Sequence, residues 1–192
     1  MGKKVNKQYW VTTDTHFGHE KIIKIGDRPK NYEQLMLNGL ERIKENDVLI
    51  HLGDFAFENE EGWTEKFLSS LKGKAWLVKG NHDKRSDFWY LGKGWDFVGR
   101  SLTLKRFGKK ILFSHMPQAW SGQFDLNIFG HFHNNNHRCW EEWLIERITP
   151  DKHYLLAQEE QNYVPIPLKS IVNDKVGVVD IPSIVWYSIS RG

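Results

Sequence analysis

The chain is predicted to be a mixed α/β protein, a system of mixed sheets with helices on its faces, and three observations lead there. Short β-branched and aromatic runs alternate with helical patterns in the first half and follow one another directly in the second. The 192 residues amount to about one domain, and 40% hydrophobic with 27% charged residues suits a soluble core, not disorder or a disulfide scaffold. Several of the apolar runs end in Asp, Asn or His, as expected where strand ends open on a ligand crevice.

Strands are predicted at Tyr9–Thr13, Val48–Leu52, Ala75–Val78, Phe97–Lys105, Ile111–Ser114, Leu126–Phe129 and His153–Ala157, with Val176–Val179 and Ile184–Ile189 in the tail. Gly108-Lys109 reads as a hairpin turn between Leu102–Phe107 and Lys110–Ser114. Met36, Leu40 and Ile43 share a helical stripe, entered through Asn31 with Gln34 three residues on, close to a capping box. A second helix is expected over Glu61–Leu71, with Trp63, Phe67 and Leu71 on one stripe and Gly73 as its stop. The segment 134–152 reads as an insert whose Trp140, Trp143, Leu144, Ile145 and Ile148 suit an amphipathic helix packed on the core edge; a lid or a partner surface is the alternative. Residues 173–192 read as one or two extra strands, and 1–192 as a single domain.

Lys and Arg total 27 against 24 Asp and Glu, so the formal charge is +3, too small to indicate a nucleic-acid surface. The single cysteine, Cys139, makes no internal disulfide, and the N-terminal residues carry charge without an apolar stretch, so a cytoplasmic protein is expected. No apolar run approaches the ~20 residues needed to span a bilayer.

The chemistry gathers at five strand ends. The first runs into Asp14-Thr15-His16, the second into Gly53-Asp54, the third into Gly80-Asn81-His82-Asp83, the fourth into His115, and Leu126–Phe129 into Gly130-His131-Phe132-His133. Any one of these pieces is more often a turn or a surface histidine. Together, carboxylate, amide oxygen and imidazole suit divalent ions such as manganese, iron(II) or zinc, and one cysteine excludes a thiolate site.

This set resembles the calcineurin-like metallophosphoesterases, whose signature is Asp-x-His, Gly-Asp, Gly-Asn-His-Asp or Glu, a later His, and Gly-His-x-His. Thr13-Asp14-Thr15-His16-Phe17-Gly18-His19, Arg28-Pro29 and Asn162-Tyr163-Val164-Pro165 look like a small bacterial and phage branch, so the resemblance covers roughly residues 8–172. It implies a four-layer α/β/β/α sandwich, two mixed β-sheets flanked by helices, with a dimetal site at the strand ends. It also implies that Asp14, His16 and His133 hold one ion, that Asn81, His115 and His131 hold the other, and that Asp54 bridges them. Manganese is the expected metal, with Fe2+, Zn2+, Ni2+ or Mg2+ as alternatives.

The implied reaction is in-line attack on a phosphate ester by a hydroxide between the ions. His82 would face the substrate, stabilising phosphoryl charge or protonating the leaving oxygen, with Asp83 orienting its ring. His19 and Arg28 are read as substrate contacts, while Arg85 reads equally well as a solvated charge. The protein serine/threonine phosphatases of the superfamily carry Gly-Asp-x-x-Asp-Arg-Gly and Gly-Asn-His-Glu. Here Gly53-Asp54 is followed by Phe55-Ala56-Phe57-Glu58, which disfavours a protein phosphatase. The expected activity is a phosphodiesterase on a small nucleotide or similar diester. Competing readings are a nuclease, a phosphomonoesterase and a non-catalytic metal-bound protein that binds a partner; no membrane is expected among the partners.

Overall fold

The computed structural model of the protein describes residues 7–133, 142–149, 151–175 and 178–179. Four strands, β1 (Tyr9–Thr12), β2 (Val48–His51), β3 (Lys74–Val78) and β4 (Phe97–Gly99), pair in parallel in the order β4-β3-β2-β1. The helices between them are α1 (Glu20–Ile25), α2 (Tyr32–Gly39), α3 (Glu60–Ser70) and α4 (Asp87–Gly92). In the second sheet, β5 (Ser101–Arg106) and β6 (Lys109–Ser114) form an antiparallel hairpin, and β7 (Leu126–Phe129) and β8 (His153–Leu156) continue it in parallel. After α5 (Glu142–Ile145), β9 (Ile166–Pro167) returns to the first sheet antiparallel to β1, α6 spans Leu168–Asp174, and β10 (Val178–Val179) closes the second sheet beside β8. Both sheets are therefore mixed, with a parallel centre and an antiparallel strand at one edge of the first and at both edges of the second.

Period-two alternation places the layers. Val11, Val48, Ile50 and Val78 turn inward onto Ile111, Phe113, Leu126 and Ile128 of the other sheet. Trp10, Leu49, Ala75 and Leu77 turn outward beneath the helices, onto Ile22, Met36, Leu40 and Phe67. Each of these larger side chains contributes about 1.5–3 kcal/mol on full burial. On the far face of the second sheet, Phe129, Phe132 and Leu155 are covered by Leu144, Ile145 and Ile148, which supply the fourth layer. Trp143 points outward with Arg147 over its ring; Trp140 lies outside the described residues. No helix among the described residues is long and apolar enough to cross a membrane.

The structure corrects several expectations. The Phe97–Lys105 run is two strands in different sheets, because the chain bends at Gly99-Arg100 and leaves one sheet for the other. A glycine weakens a strand interior, and residue periodicity does not show where a run changes partners. The hairpin turn is Phe107-Gly108, one residue earlier than expected, both with positive φ (52° and 71°), and Arg106 pairs with Lys109. The Asn31 side chain makes no capping bond, and Gln34 bonds Asn38 along the helix instead. That helix ends at Gly39 and tightens into a 3₁₀ turn over Leu40–Arg42. The tail begins as helix, since α6 runs to Asp174, and Ile184–Ile189 lies outside the described residues. Helices α1 and α4, six residues each with one buried side chain apiece, are too short to leave a periodic signal.

Candidate metal centre

The strand ladder continues past the end of the first sheet as loops. Asp14 N–H donates to the Gly53 carbonyl, His16 N–H to Asp54 and Phe17 N–H to Phe55, at 2.9–3.0 Å, so the loops after β1 and β2 run side by side. Across the sandwich, Gly130 N–H donates to the His115 carbonyl at 3.0 Å, and His131 N–H reaches over to Asp14 Oδ2 at 3.0 Å. This bond, with the one from the His115 ring to the Leu52 carbonyl, ties the two sheets together at the site. The approach is close enough that a Cβ on Gly130 would stand 2.0 Å from Thr13 Oγ1 and 2.3 Å from Asp14 Oδ2.

Two clusters result, Asp14 with His16 and His133, and Asp54 with His115 and His131, all buried. The two carboxylates are used alike. Asp14 gives Oδ2 to the Thr13 hydroxyl and His131 N–H, and Asp54 gives Oδ1 to His82 N–H at 2.9 Å. Asp14 Oδ1 and Asp54 Oδ2 are buried with no hydrogen-bond partner, as are both ring nitrogens of His16 and Nε2 of His133. These bare atoms face one another: Asp14 Oδ1 lies 3.8 Å from His16 Nε2 and 3.7 Å from His133 Nε2. Asp54 Oδ2 lies 3.7 Å from His16 Nε2 and 3.4 Å from His115 Nε2, facing both clusters at once. Atoms each ~2.0–2.2 Å from one ion stand roughly 3–4 Å apart, and buried polar atoms are rarely left unpaired, so the donor set fits divalent metal ions. Asn81 Oδ1, 3.0 Å from His115 Nε2, adds an amide oxygen to the second cluster.

The electrostatics agree. Burial holds the His16 imidazole well below its usual pKa despite the Asp54 charge, so it is neutral, as a ligand must be. Burial also works against protonation of His115, but the Asp54 carboxylate outweighs it and lifts that ring to about 9. Burial opposes the Asp54 charge too, and the His115 ring beside it still holds the carboxyl far below its ordinary value. A cluster that draws a proton this strongly favours a dication in the proton's place.

Backbone strain concentrates here. Asp14, His16, Asp54, His131 and His133 all have φ between 45° and 73°, the left-handed region that non-glycine residues enter at a cost of about 1 kcal/mol or more.

The expected site residues fall into two groups. Asp14, His16, Asp54, Asn81, His115, His131 and His133 come together, and His82 stands at their edge, Nε2 3.9 Å from Asp54 Oδ2 with 33% of its side chain exposed. Asp83 does something other than orient His82. Its carboxylate accepts backbone N–H bonds from Gly80 (2.7 Å), Asp54 (2.9 Å) and Phe55 (3.0 Å), stapling two ligand loops together. Burial and the Asp54 charge push its carboxyl up to about 6. Arg28 is buried, so it is a brace and not the expected substrate contact. It donates to the Asp14 carbonyl (2.8 Å), the Thr15 carbonyl (3.0 Å) and Glu159 (2.9 Å). His19 stacks on Phe57 with ring centres 4.1 Å apart, beside His82, while Arg85 lies exposed near Glu60 and Trp89.

Sequence reasoning missed Glu159, which sits 3.2 Å from His133 Nδ1. With His133 Nε2 turned to Asp14, the proton belongs on Nδ1 and is donated to Glu159. Burial opposes ionisation of Glu159, but the His133 bond and the Arg28 charge bring it down to about 2. His51 was also missed: it accepts from Gly53 N–H, faces the Thr15 hydroxyl at 2.9 Å, and burial depresses it to about 3, a neutral strut.

The profile of the calcineurin-like phosphoesterases matches residues 7–167. The chain belongs to that family. The phosphoesterase is also 28% identical over 174 residues to an uncharacterized protein of Methanocaldococcus jannaschii, covering 86% of this chain and 90% of that one. Among solved structures it is similar to a protein of unknown function from Aquifex aeolicus, at TM-score 0.66 and 28% identity, covering 88% of this chain and 99% of the other. Family membership makes this a metal-dependent phosphoesterase of the two-sheet α/β fold, and the two His/Asp clusters are its candidate metal sites.

Proposed function

We propose that the phosphoesterase hydrolyses phosphodiesters with two divalent ions, Asp14, His16 and His133 holding one, Asn81, His115 and His131 the other, and Asp54 both. The observation that supports this most is the single bare oxygen of Asp54, within 3.4–3.7 Å of a histidine from each cluster. Bound divalent ions supply the charge that polarises the phosphoryl group and activates water. Asp83 and Arg28 hold the ligand loops in register. His82, tethered by its backbone N–H to Asp54 yet open to solvent on one side, protonates the leaving oxygen. Arg28, the guanidinium buried beside the first cluster, is turned onto loop carbonyls and Glu159 and is not free to meet the additional charge of a monoester, which favours the diester. Manganese is the proposed metal, suited by the oxygen and nitrogen donors.

The test is turnover of metal-stripped protein re-supplied with manganese on bis(p-nitrophenyl) phosphate and p-nitrophenyl phosphate, with His82→Ala as control. The diester should be released faster, and the variant should lose about 10²–10⁴ of that rate with its metal content intact. Faster monoester release would replace the reading with a phosphomonoesterase, and no manganese-dependent release from either would leave a metal-bound binding protein.

A further inference from the structure

A cleft of about 320 Å³ opens between the two sheets beside the second cluster, lined by Lys79, Asn81, Arg100, Ser101, His115 and Gln118 among others. Its floor is made of proposed metal ligands and its outer wall is not. Arg100 is the residue at which the chain passes from β4 to β5, so the crossing between sheets sets its side chain at the rim. The two cations of the cleft differ. Lys79 Nζ is committed, to the Arg85 carbonyl and to Asp87 Oδ1 at 3.0 Å. The Arg100 guanidinium is exposed and makes no hydrogen bond or ion pair with any described residue. The Ser101 hydroxyl, also exposed on the cleft wall, has no partner among the described residues either.

A planar guanidinium with uncommitted donors beside a hydroxyl, on the wall of the same cleft, matches the oxygens of a phosphate. The volume is at the small end of ligand pockets and takes about one nucleotide-sized group. Resting on the phosphodiesterase reading, we infer that Arg100 and Ser101 form a second anion subsite. It selects diesters that carry another phosphate one nucleotide away from the scissile phosphorus, such as the end of an oligonucleotide. The modest net charge of the chain does not oppose this, because a single subsite needs one well-placed cation and not a basic face.

The experiment compares kcat/KM for the dinucleotide TpT with that for pTpT and TpTp, which add one terminal phosphate, in the manganese-loaded protein and in Arg100→Ala. The wild type should prefer one phosphorylated form over TpT by about fivefold, mainly through KM, and the ratio should fall towards one in Arg100→Ala. Lys109→Ala, at the opposite end of the β5–β6 hairpin, should keep the preference. Equal use of all three substrates by the wild type, or a preference undiminished in Arg100→Ala, overturns the subsite. A second arm separates this from failure of the parent reading: equilibrium dialysis of inorganic pyrophosphate against metal-stripped protein, where Arg100→Ala should bind about fivefold more weakly. If no dinucleotide is cleaved, the phosphodiesterase reading falls, and equal pyrophosphate binding by both proteins removes the subsite as well.

Discussion

The two clusters are built from the same residue types but held by different means. In the first, Asp14, His16 and His133 are braced by side chains from elsewhere in the chain: Arg28 grips the loop carbonyls, and Glu159, 26 residues from His133, holds its ring. In the second, the Asp83 carboxylate staples the loops of Asp54 and Asn81, but the His115 ring itself is held by backbone. The His115 Nδ1–H donates to the Leu52 carbonyl at 2.8 Å, and its Nε2 meets Asn81 Oδ1 and His131 Nδ1 at 3.0 and 3.1 Å. Main-chain bracing comes with the sheet itself, whereas side-chain bracing is removable without disturbing any strand. The His133 ring of the first cluster should therefore be the one that mutation can tune, and the His115 ring of the second the one fixed by the fold.

Removing Asp54, the proposed bridge between the clusters, should have the largest effect. Asp54→Ala should lower kcat/KM on a phosphodiester by about 10³-fold or more and cut bound metal from two ions per chain to one or none, read by elemental analysis. Two ions retained per chain would show the clusters to be independent and end the bridging role.

Next comes the brace of the first cluster. Arg28→Ala leaves the buried Glu159 carboxylate with its His133 bond but no cation and unpairs the Asp14 and Thr15 carbonyls, so it should cost about 3–5 kcal/mol in urea unfolding. Arg28→Lys should recover only part, because one ammonium does not span Glu159 and both carbonyls. A loss below about 1 kcal/mol for Arg28→Ala would mean that the first loop holds itself.

Glu159→Gln is gentler, keeping shape and removing charge. Metal titration should then show one site weakened about 10- to 100-fold and the other unchanged, since an outer carboxylate tunes only the histidine it touches. Equal weakening of both sites would erase the distinction drawn between them.

The same distinction explains what the sequence revealed. The residues that gather at the centre stand at strand ends in fixed local spellings, and a strand end is visible as an apolar run stopping at a polar residue. The parallel strands of each sheet then need only to align those ends, which is why Asp14, Asp54, Asn81 and His115 were readable. Glu159 was not, because it stands in a 3₁₀ turn beyond β8 and its partners lie 26 and 131 residues away. Arg28 was seen as important and misassigned, since an arginine near a phosphate site reads the same whether it faces the substrate or the protein; only burial separates them. The left-handed backbone at five of the site residues was equally invisible, as Asp and His carry no outward mark of the φ they will adopt. The fold was legible where periodicity persisted and lost where elements were short, as in α1, α4 and β9, or where one run served two sheets, as at Gly99-Arg100.

The smallest expected effect on the metals is the sharpest test of the contrast. Leu52 is fully buried between the sheets, and Leu52→Ala should cost about 2–5 kcal/mol through lost packing and the cavity left behind. What holds the His115 ring, however, is the Leu52 carbonyl, and alanine keeps it. Under conditions where the variant is folded, the affinity of the second site should therefore change by less than about threefold, far less than Glu159→Gln changes the first. If Leu52→Ala instead weakened the second site tenfold or more, the strand that carries the carbonyl would itself be held by side-chain packing. The two clusters would then differ in how remote their bracing is, and not in kind.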